Sequence, residues 1–259
     1  MKKVVVISGG SSGIGKATAE RFAAEGHIVY ELSRSGKEQN GIFHLDCDIC
    51  SEEAIDLALK AIGEKEGRID CLVANAGFGI SGPFTDTSEA NLIRQYDVNV
   101  FGAARLVKAA FPYLLKAKDA RVLFVSSVAA DVAIPFQTHY SATKACLKMF
   151  ALALDNEWKP HGIRALALLP GDVSTPFTAN RIKLVGDERA DRSVARMEAD
   201  EKSGGGPETV ANRIYQLLIK KKNPKVVSSL GVKYVLVLLL FKLLPIRLSN
   251  YIIGMLYSK

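Results

Sequence analysis

The start of the chain limits its fold more tightly than any other stretch. Val4-Val-Val-Ile7 is a continuous β-branched run, followed at once by Ser8-Gly-Gly-Ser-Ser-Gly-Ile-Gly15 and then by an amphipathic pattern through about Glu25. An apolar run with no polar alternation reads as a strand covered on both faces, the central strand of a parallel sheet. A glycine turn from such a strand into a helix brings bare main chain to the positive helix start, where a pyrophosphate can settle. Gly9, Gly13 and Gly15, with Ser11, Ser12 and Ile14 between them, therefore predict a dinucleotide-binding turn, spaced G-x-x-x-G-x-G and not G-x-G-x-x-G. Further apolar runs at 27–32, 42–45, 69–74, 121–125, 163–169 and 225–227 alternate with helical stretches. That alternation predicts a Rossmann-like, doubly wound parallel α/β sheet.

The second strand, His27 to Leu32, runs into Ser33-Arg34. A site for unphosphorylated NAD wants an acid near here for the ribose hydroxyls, whereas Arg34 offers a guanidinium to a 2′-phosphate. Glu31 competes, but it stands inside the strand and reads as misplaced. The expected cofactor is NADP(H) in preference to NAD(H), with Ser11 or Ser12 as a further donor. Asp48, beyond the third strand, could accept from an adenine amino group or simply precede the helix at Ser51. The fourth strand ends in Asn75-Ala76-Gly77, and the sixth is followed by Pro170-Gly171-Asp-Val173-Ser-Thr175.

Chemistry enters with Ser127, at the carboxyl end of the strand 121–125, and with Tyr140 and Lys144 on a helix expected over about Thr138 to Trp158. Residues four apart stack on one helix face. A cation beside a phenol favours phenolate, so the Tyr140 pKa is expected to fall from about 10 toward neutrality. A long helix from about Ser88 to Lys116 carries Asn99 inside it, where it either hydrogen-bonds something buried or sits on the surface.

Four cysteines give no disulfide framework; Cys47 and Cys50 form an isolated C-x-x-C without a second ligand pair, and no metal is expected. The first residues lack the apolar length and cleavage site of a signal peptide. A reducing, cytoplasmic setting is expected. From Thr175 to Pro207 the pattern is loose and charged, and reads as a mobile lid or a solvated insertion. The tail is different. From Lys220 to Lys259 there are eight Lys or Arg and no Asp or Glu, while the rest of the chain holds 26 basic and 27 acidic residues. These cations are mixed with aliphatics and not with stacking aromatics, which argues against nucleic acid. The tail fits an interfacial helix on an anionic membrane, or a helix packed over a cleft or a subunit interface.

Taken together, Gly9-x-x-x-Gly13-x-Gly15, Asn75-Ala-Gly77, Asn99, Ser127, Tyr140-x-x-x-Lys144 and Pro170-Gly171 resemble the short-chain dehydrogenase/reductase family, in the family's order and over nearly the whole chain. Val29-Tyr-Glu-Leu-Ser-Arg34, Asp97-Val-Asn-Val-Phe-Gly102 and the basic apolar tail are similar to its 17β-hydroxysteroid dehydrogenase and acyl-dihydroxyacetone-phosphate reductase branch. The resemblance implies a domain over 1–229 with a lid at about 175–207, a tail over 230–259, and a homo-oligomer, dimer or tetramer. It implies that Tyr140 is the acid or base, that Lys144 tunes it and holds the nicotinamide ribose, and that Ser127 bonds the substrate oxygen. Asn99 would anchor a relay water. Asn75, Ala76 and Gly77 would line the cofactor, and Val173 and Thr175 would meet the carboxamide. The implied substrate is a ketone or secondary alcohol of a lipophilic molecule, steroid-like or an acyl lipid; the alternatives are an NAD-dependent hydroxysteroid or alcohol dehydrogenase working oxidatively and an NADP(H) sensor without turnover. Ser8 and Ala74 depart from the family's usual Thr and Asn.

Overall fold

The computed structural model describes residues 2–184 and 186–257. Its strands are β1 (Val4–Ser8), β2 (Ile28–Ser33), β3 (Ile42–Asp46), β4 (Cys71–Ala74), β5 (Ile80–Ser81), β6 (Ala120–Val125), β7 (Ile163–Leu169), β8 (Ile182–Lys183) and β9 (Val227–Ser229). Seven of them form one parallel sheet in the order β3-β2-β1-β4-β6-β7-β9. The order reverses between β1 and β4, and a doubly wound sheet opens its ligand crevice at such a point.

Helices cover both faces. On one, α2 (Glu52–Glu66), α4 (Ala103–Leu114) and α5 (Thr138–Trp158) bury Leu59, Leu106 and Leu147. On the other, α1 (Gly13–Ala24) and α7 (Pro207–Tyr215) bury Phe22 and Ile214. This two-sided cover explains why β1 and β6 carry no polar alternation.

The last strand, expected at 225–227, is displaced to Val227–Ser229, and β5 and β8 pair as a small second sheet outside the sequence expectation. Three helical regions also differ from it. The helix expected over Ser88–Lys116 is α3 (Glu89–Tyr96) and α4 joined by a π-helical stretch, Asp97–Gly102, that holds Asn99. An inward Asn that bonds a neighbouring loop is better served by a wide turn than by regular helix. The stretch after Thr175 is not loose throughout, because Glu188–Ser203 is a helix, α6, capped by Asp187. The tail is two helices, α8 (Val232–Leu243) and α9 (Ile246–Tyr257), broken before Pro245. Among the described residues no helix is long and apolar enough to cross a membrane.

Candidate active site

Four strand ends converge on one cavity of about 650 Å³. The glycine turn follows β1, Asn75–Gly77 follows β4, Ser127 stands just beyond β6, and Pro170-Gly171 follow β7. Gly9, Ser11, Ser12, Gly13, Ile14, Arg34, Asp48, Asn75, Ala76, Gly77, Ser127, Tyr140, Lys144, Pro170, Gly171, Val173 and Thr175 all line it. Two residues of the expected site do not. Gly15 lies behind the turn, where an added Cβ would come within 2.1 Å of the Gly9 carbonyl oxygen. Asn99 is fully buried behind Gly77.

Local chemistry sets the glycine turn. Ser8 Oγ accepts from the main-chain N–H groups of Asn75 (3.0 Å) and Ala76 (3.1 Å). Asn75 Nδ2 donates back to the carbonyls of Ser8 (3.0 Å) and Gly9 (3.2 Å). The hydroxyl at position 8 is therefore used, and a serine serves as well as a threonine. Helix α1 opens at Ser12 with no side-chain cap and no acid in its first turn, unlike α2, α3 and α6, whose caps are Ser51, Ser88 and Asp187. Its first N–H groups are left for an anion. The residues thus fit a dinucleotide pyrophosphate.

At the adenosine end, Arg34 is exposed at the cavity wall beside Ser35. Glu31 is only 2% exposed; one carboxylate oxygen is held by His44 and the Ser33 hydroxyl, and the other lies against Gly10 at a small adjoining cavity, without a hydrogen-bond partner among the described residues. Asp48 lines the cavity, and its Oδ1 accepts from the Cys50 N–H at 3.0 Å. Burial and the neighbouring carboxylates hold Cys47 up at about 11 and Cys50 at about 12, so both remain thiols at neutral pH.

At the other end, Lys144 is buried on α5 and donates to the Val125 carbonyl at 2.9 Å, while Ser126 Oγ donates to the Lys144 carbonyl at 2.7 Å. These bonds lock the helix to the end of β6. Lys144 Nζ lies 5.7 Å from the centre of the Tyr140 ring, and the neighbouring Ser127 hydroxyl draws the phenol's pKa down. Ser127 Oγ already accepts from the Ala129 N–H at 3.1 Å, so its proton remains available to a second oxygen. Asn99 Oδ1 accepts from the Phe78 N–H at 2.9 Å, and its Nδ2 donates to the Phe78 carbonyl (2.9 Å) and to Thr143 Oγ1 (3.1 Å). Both amide protons are committed, and one Oδ1 lone pair is left.

The titration differs from the sequence expectation. Burial pushes Tyr140 up to about 12, with smaller pulls downward from Arg181 and Ser127. Burial also draws Lys144 down to about 8. Removing both groups from water outweighs the attraction between ammonium and phenolate that the four-residue spacing suggested.

The outer wall escaped the sequence reading. The Phe177 ring lies 5.7 Å from that of Tyr140, and the Arg181 guanidinium lies 5.4 Å over Phe177. Arg181 pairs with Glu201 of α6 at 2.7 Å, and β5 pairs with β8 beneath it. Met197 and Tyr257 complete the wall. Tyr234 of α8 donates to the Asp172 carboxylate and accepts from the Asp172 N–H at 3.1 Å, its ring flat on Gly171. A Cβ on Gly171 would fall 2.2 Å from that ring. Gly171→Ala should therefore lift α8 and cost about 1–3 kcal/mol, read as a lower thermal midpoint and faster proteolysis of the tail.

A parallel sheet with a nucleotide-type turn at one strand end and a Ser–Tyr–Lys set at another defines a dehydrogenase-type α/β protein. The chain belongs to the short-chain dehydrogenase family, whose model, described as "short chain dehydrogenase", matches residues 3–184. It is 34% identical over 230 residues to a 3-ketodihydrosphingosine reductase of Bacteroides thetaiotaomicron, covering 86% of each chain. It superposes on a short-chain dehydrogenase from Streptomyces avermitilis with a TM-score of 0.84, at 27% identity over 96% of this chain and 94% of that one. A 3-ketoacyl-(acyl-carrier-protein) reductase from Brucella melitensis, complexed with NADH, matches with a TM-score of 0.76 at 26% identity, over 89% and 96%.

Proposed function

We propose that the protein is an NADP(H)-dependent reductase of a ketone carried on a lipophilic, acyl-type chain. The observation that carries this reading is the Tyr140 phenol, set with Ser127 and Lys144 on the floor of a cavity whose outer wall is Phe177, Met197 and Tyr257. When bound, the nicotinamide supplies the hydride for reduction or takes it in the reverse direction. The chain's own residues hold the substrate and move its proton. Ser127 donates its free hydrogen to the carbonyl oxygen. Tyr140 protonates that oxygen as charge develops on it. The Lys144 ammonium, fixed by Val125, then stabilises the phenolate left behind. The Asn99 Oδ1 lone pair is the place for a water that returns a proton toward Lys144, since an atom added to Gly77 would meet Asn99 Oδ1 at 3.1 Å and Lys144 Nζ at 3.6 Å.

Arg34 supports NADP(H) over NAD(H), because it offers an exposed cation at the ribose end while Glu31 is buried and engaged with His44. The names of two relatives support the substrate class, one a reductase of 3-ketodihydrosphingosine and the other of a 3-ketoacyl group. The boundaries 1–229 for the domain, about 175–207 for the lid and 230–259 for the tail suit this reading. Exposed Phe101 and Met149 offer apolar surface for a homo-oligomer. The test follows absorbance at 340 nm with NADPH or NADH across long-chain 3-keto thioesters, steroid ketones and small polar ketones. Turnover with NADPH on the lipophilic substrates supports the reading, and turnover confined to small polar ketones would reject it.

The reading carries a pH dependence. Lys144, drawn down to about 8 by burial, is charged below that pH and neutral above it. Tyr140, near 12, stays protonated throughout the working range. The kcat/KM for reduction should therefore be level below pH 8 and fall above it, up to about tenfold per pH unit. A profile level to pH 10 would show that the Lys144 charge is not needed.

A further inference from the structure

Helix α8 turns an apolar stripe to water. Val232, Val235, Leu236, Leu239, Leu240 and Leu243 are each between 47% and 76% exposed. They recur at i, i+3, i+4, i+7, i+8 and i+11, which places them on one side of the helix. Its opposite side is used for packing, with Tyr234 on Gly171 and Leu238 buried in the core. The stripe continues into Ile246, which is 82% exposed at the start of α9. A solvent-facing row of this length marks an interaction surface.

Its charge identifies the occupant. Lys233, Lys242 and Arg247 border the stripe, and no acid occurs anywhere from Lys220 to Lys259. Among the described residues neither Lys242 nor Arg247 is ion-paired, and the Lys233 ammonium lies over the Tyr234 ring at 5.4 Å. A second copy seated on the same face about a twofold axis would oppose two acid-free cationic tails with nothing between them to neutralise either. An anionic bilayer offers acyl chains to the stripe and phosphates to its borders. Since no described helix is long enough to cross, the tail would lie in the plane of the interface.

We propose that α8 and the start of α9 dock the protein on an anionic bilayer surface, the stripe seated among lipid chains and Lys233, Lys242 and Arg247 on lipid phosphates. The same tail lines the site, through Tyr257 in the cavity wall and Tyr234 on Gly171, so docking sets the cavity mouth beside the lipid. Delivery of substrate from that lipid rests on the lipophilic-ketone reading; the docking does not.

The test is co-sedimentation of the full chain with vesicles of equal parts phosphatidylcholine and phosphatidylglycerol, against phosphatidylcholine alone, without substrate. The wild type should partition roughly tenfold or more in favour of the anionic vesicles, and less so in high salt. The double variant Leu236→Glu, Leu240→Glu should lose roughly tenfold or more of that partition. As a check independent of any loss, the Leu239→Trp protein should show blue-shifted emission on the anionic vesicles and quenching by brominated lipid, beyond any change in the wild type, whose single tryptophan is Trp158. Equal sedimentation of wild type and double variant, or emission from the Leu239→Trp protein that does not shift, would overturn the proposal. So would an oligomer that the double variant dissolves in light scattering, with no vesicle binding, which would give the face to a second copy. A protein that docks but reduces no ketone would leave the anchor standing and reject the substrate reading instead.

Discussion

Tyr140→Phe should lower kcat for ketone reduction by about 10³-fold, within the range a positioned general acid supplies. The change is nearly isosteric. It keeps the ring contact with Phe177 at 5.7 Å and leaves Lys144 bonded to Val125, so the fold and the cavity should persist. What it removes is the one proton placed where an oxygen bonded by Ser127 would gather charge. NADPH affinity, measured by fluorescence titration, should stay close to the wild-type value, which separates lost chemistry from lost binding. A Tyr140→Phe enzyme retaining a tenth or more of wild-type turnover would mean that another group or water delivers the proton.

Arg34→Asp should move cofactor choice by a comparable amount. A guanidinium on a phosphate forms charge-assisted hydrogen bonds worth about 1.5–3 kcal/mol. Removing them and adding a carboxylate that repels the 2′-phosphate should cut the ratio of kcat/KM for NADPH to that for NADH by on the order of 10²-fold or more. Most of the change should appear as a higher KM for NADPH, with a gain for NADH as the new acid reaches the ribose hydroxyls. Glu31 is less well placed for that role, because its Oε1 is taken by His44 and Ser33 beneath the Ser35–Gly36 turn. An unchanged ratio would place the phosphate elsewhere. Lys16 and Lys37 are the cations that border a small adjoining cavity, together with Ser11, Ser35 and Glu31.

What the sequence made legible was local. The run Val4–Ile7 and the glycines after it are dictated by sheet burial and turn geometry within a few residues, and α5 over Thr138–Trp158 falls where its pattern puts it. The π-helical stretch around Asn99 was not legible, because its cause is the main chain of Phe78, a partner in another loop. Helix α6 did leave a signal. Its buried residues Ala190, Ser193, Val194 and Met197 recur at i, i+3, i+4 and i+7 behind the capping Asp187, but the charges around them made the stretch look irregular. The contact of Tyr234 with Gly171 left none, since it joins parts of the chain 63 residues apart that only the folded sheet brings together. The direction of the Tyr140 shift was misjudged for a similar reason. Spacing shows the cation beside the phenol and says nothing of how completely the fold removes both from water.

A cavity built in this way should pass a hydride from NADPH to the ketone carbon of a lipophilic chain, and an isotope label can follow that transfer. The experiment is mass spectrometry of the product of a long-chain 3-keto thioester, reduced with NADPH carrying deuterium on the transferable face of its nicotinamide. The wild type should form a 3-hydroxy product one mass unit heavier, with the deuterium on the carbinol carbon, and Tyr140→Phe should form on the order of 10³-fold less of the same labelled product. NADPH consumed with no deuterium in the product would refute the hydride transfer, and labelled product formed as fast by the Tyr140→Phe protein would refute the role given to the phenol.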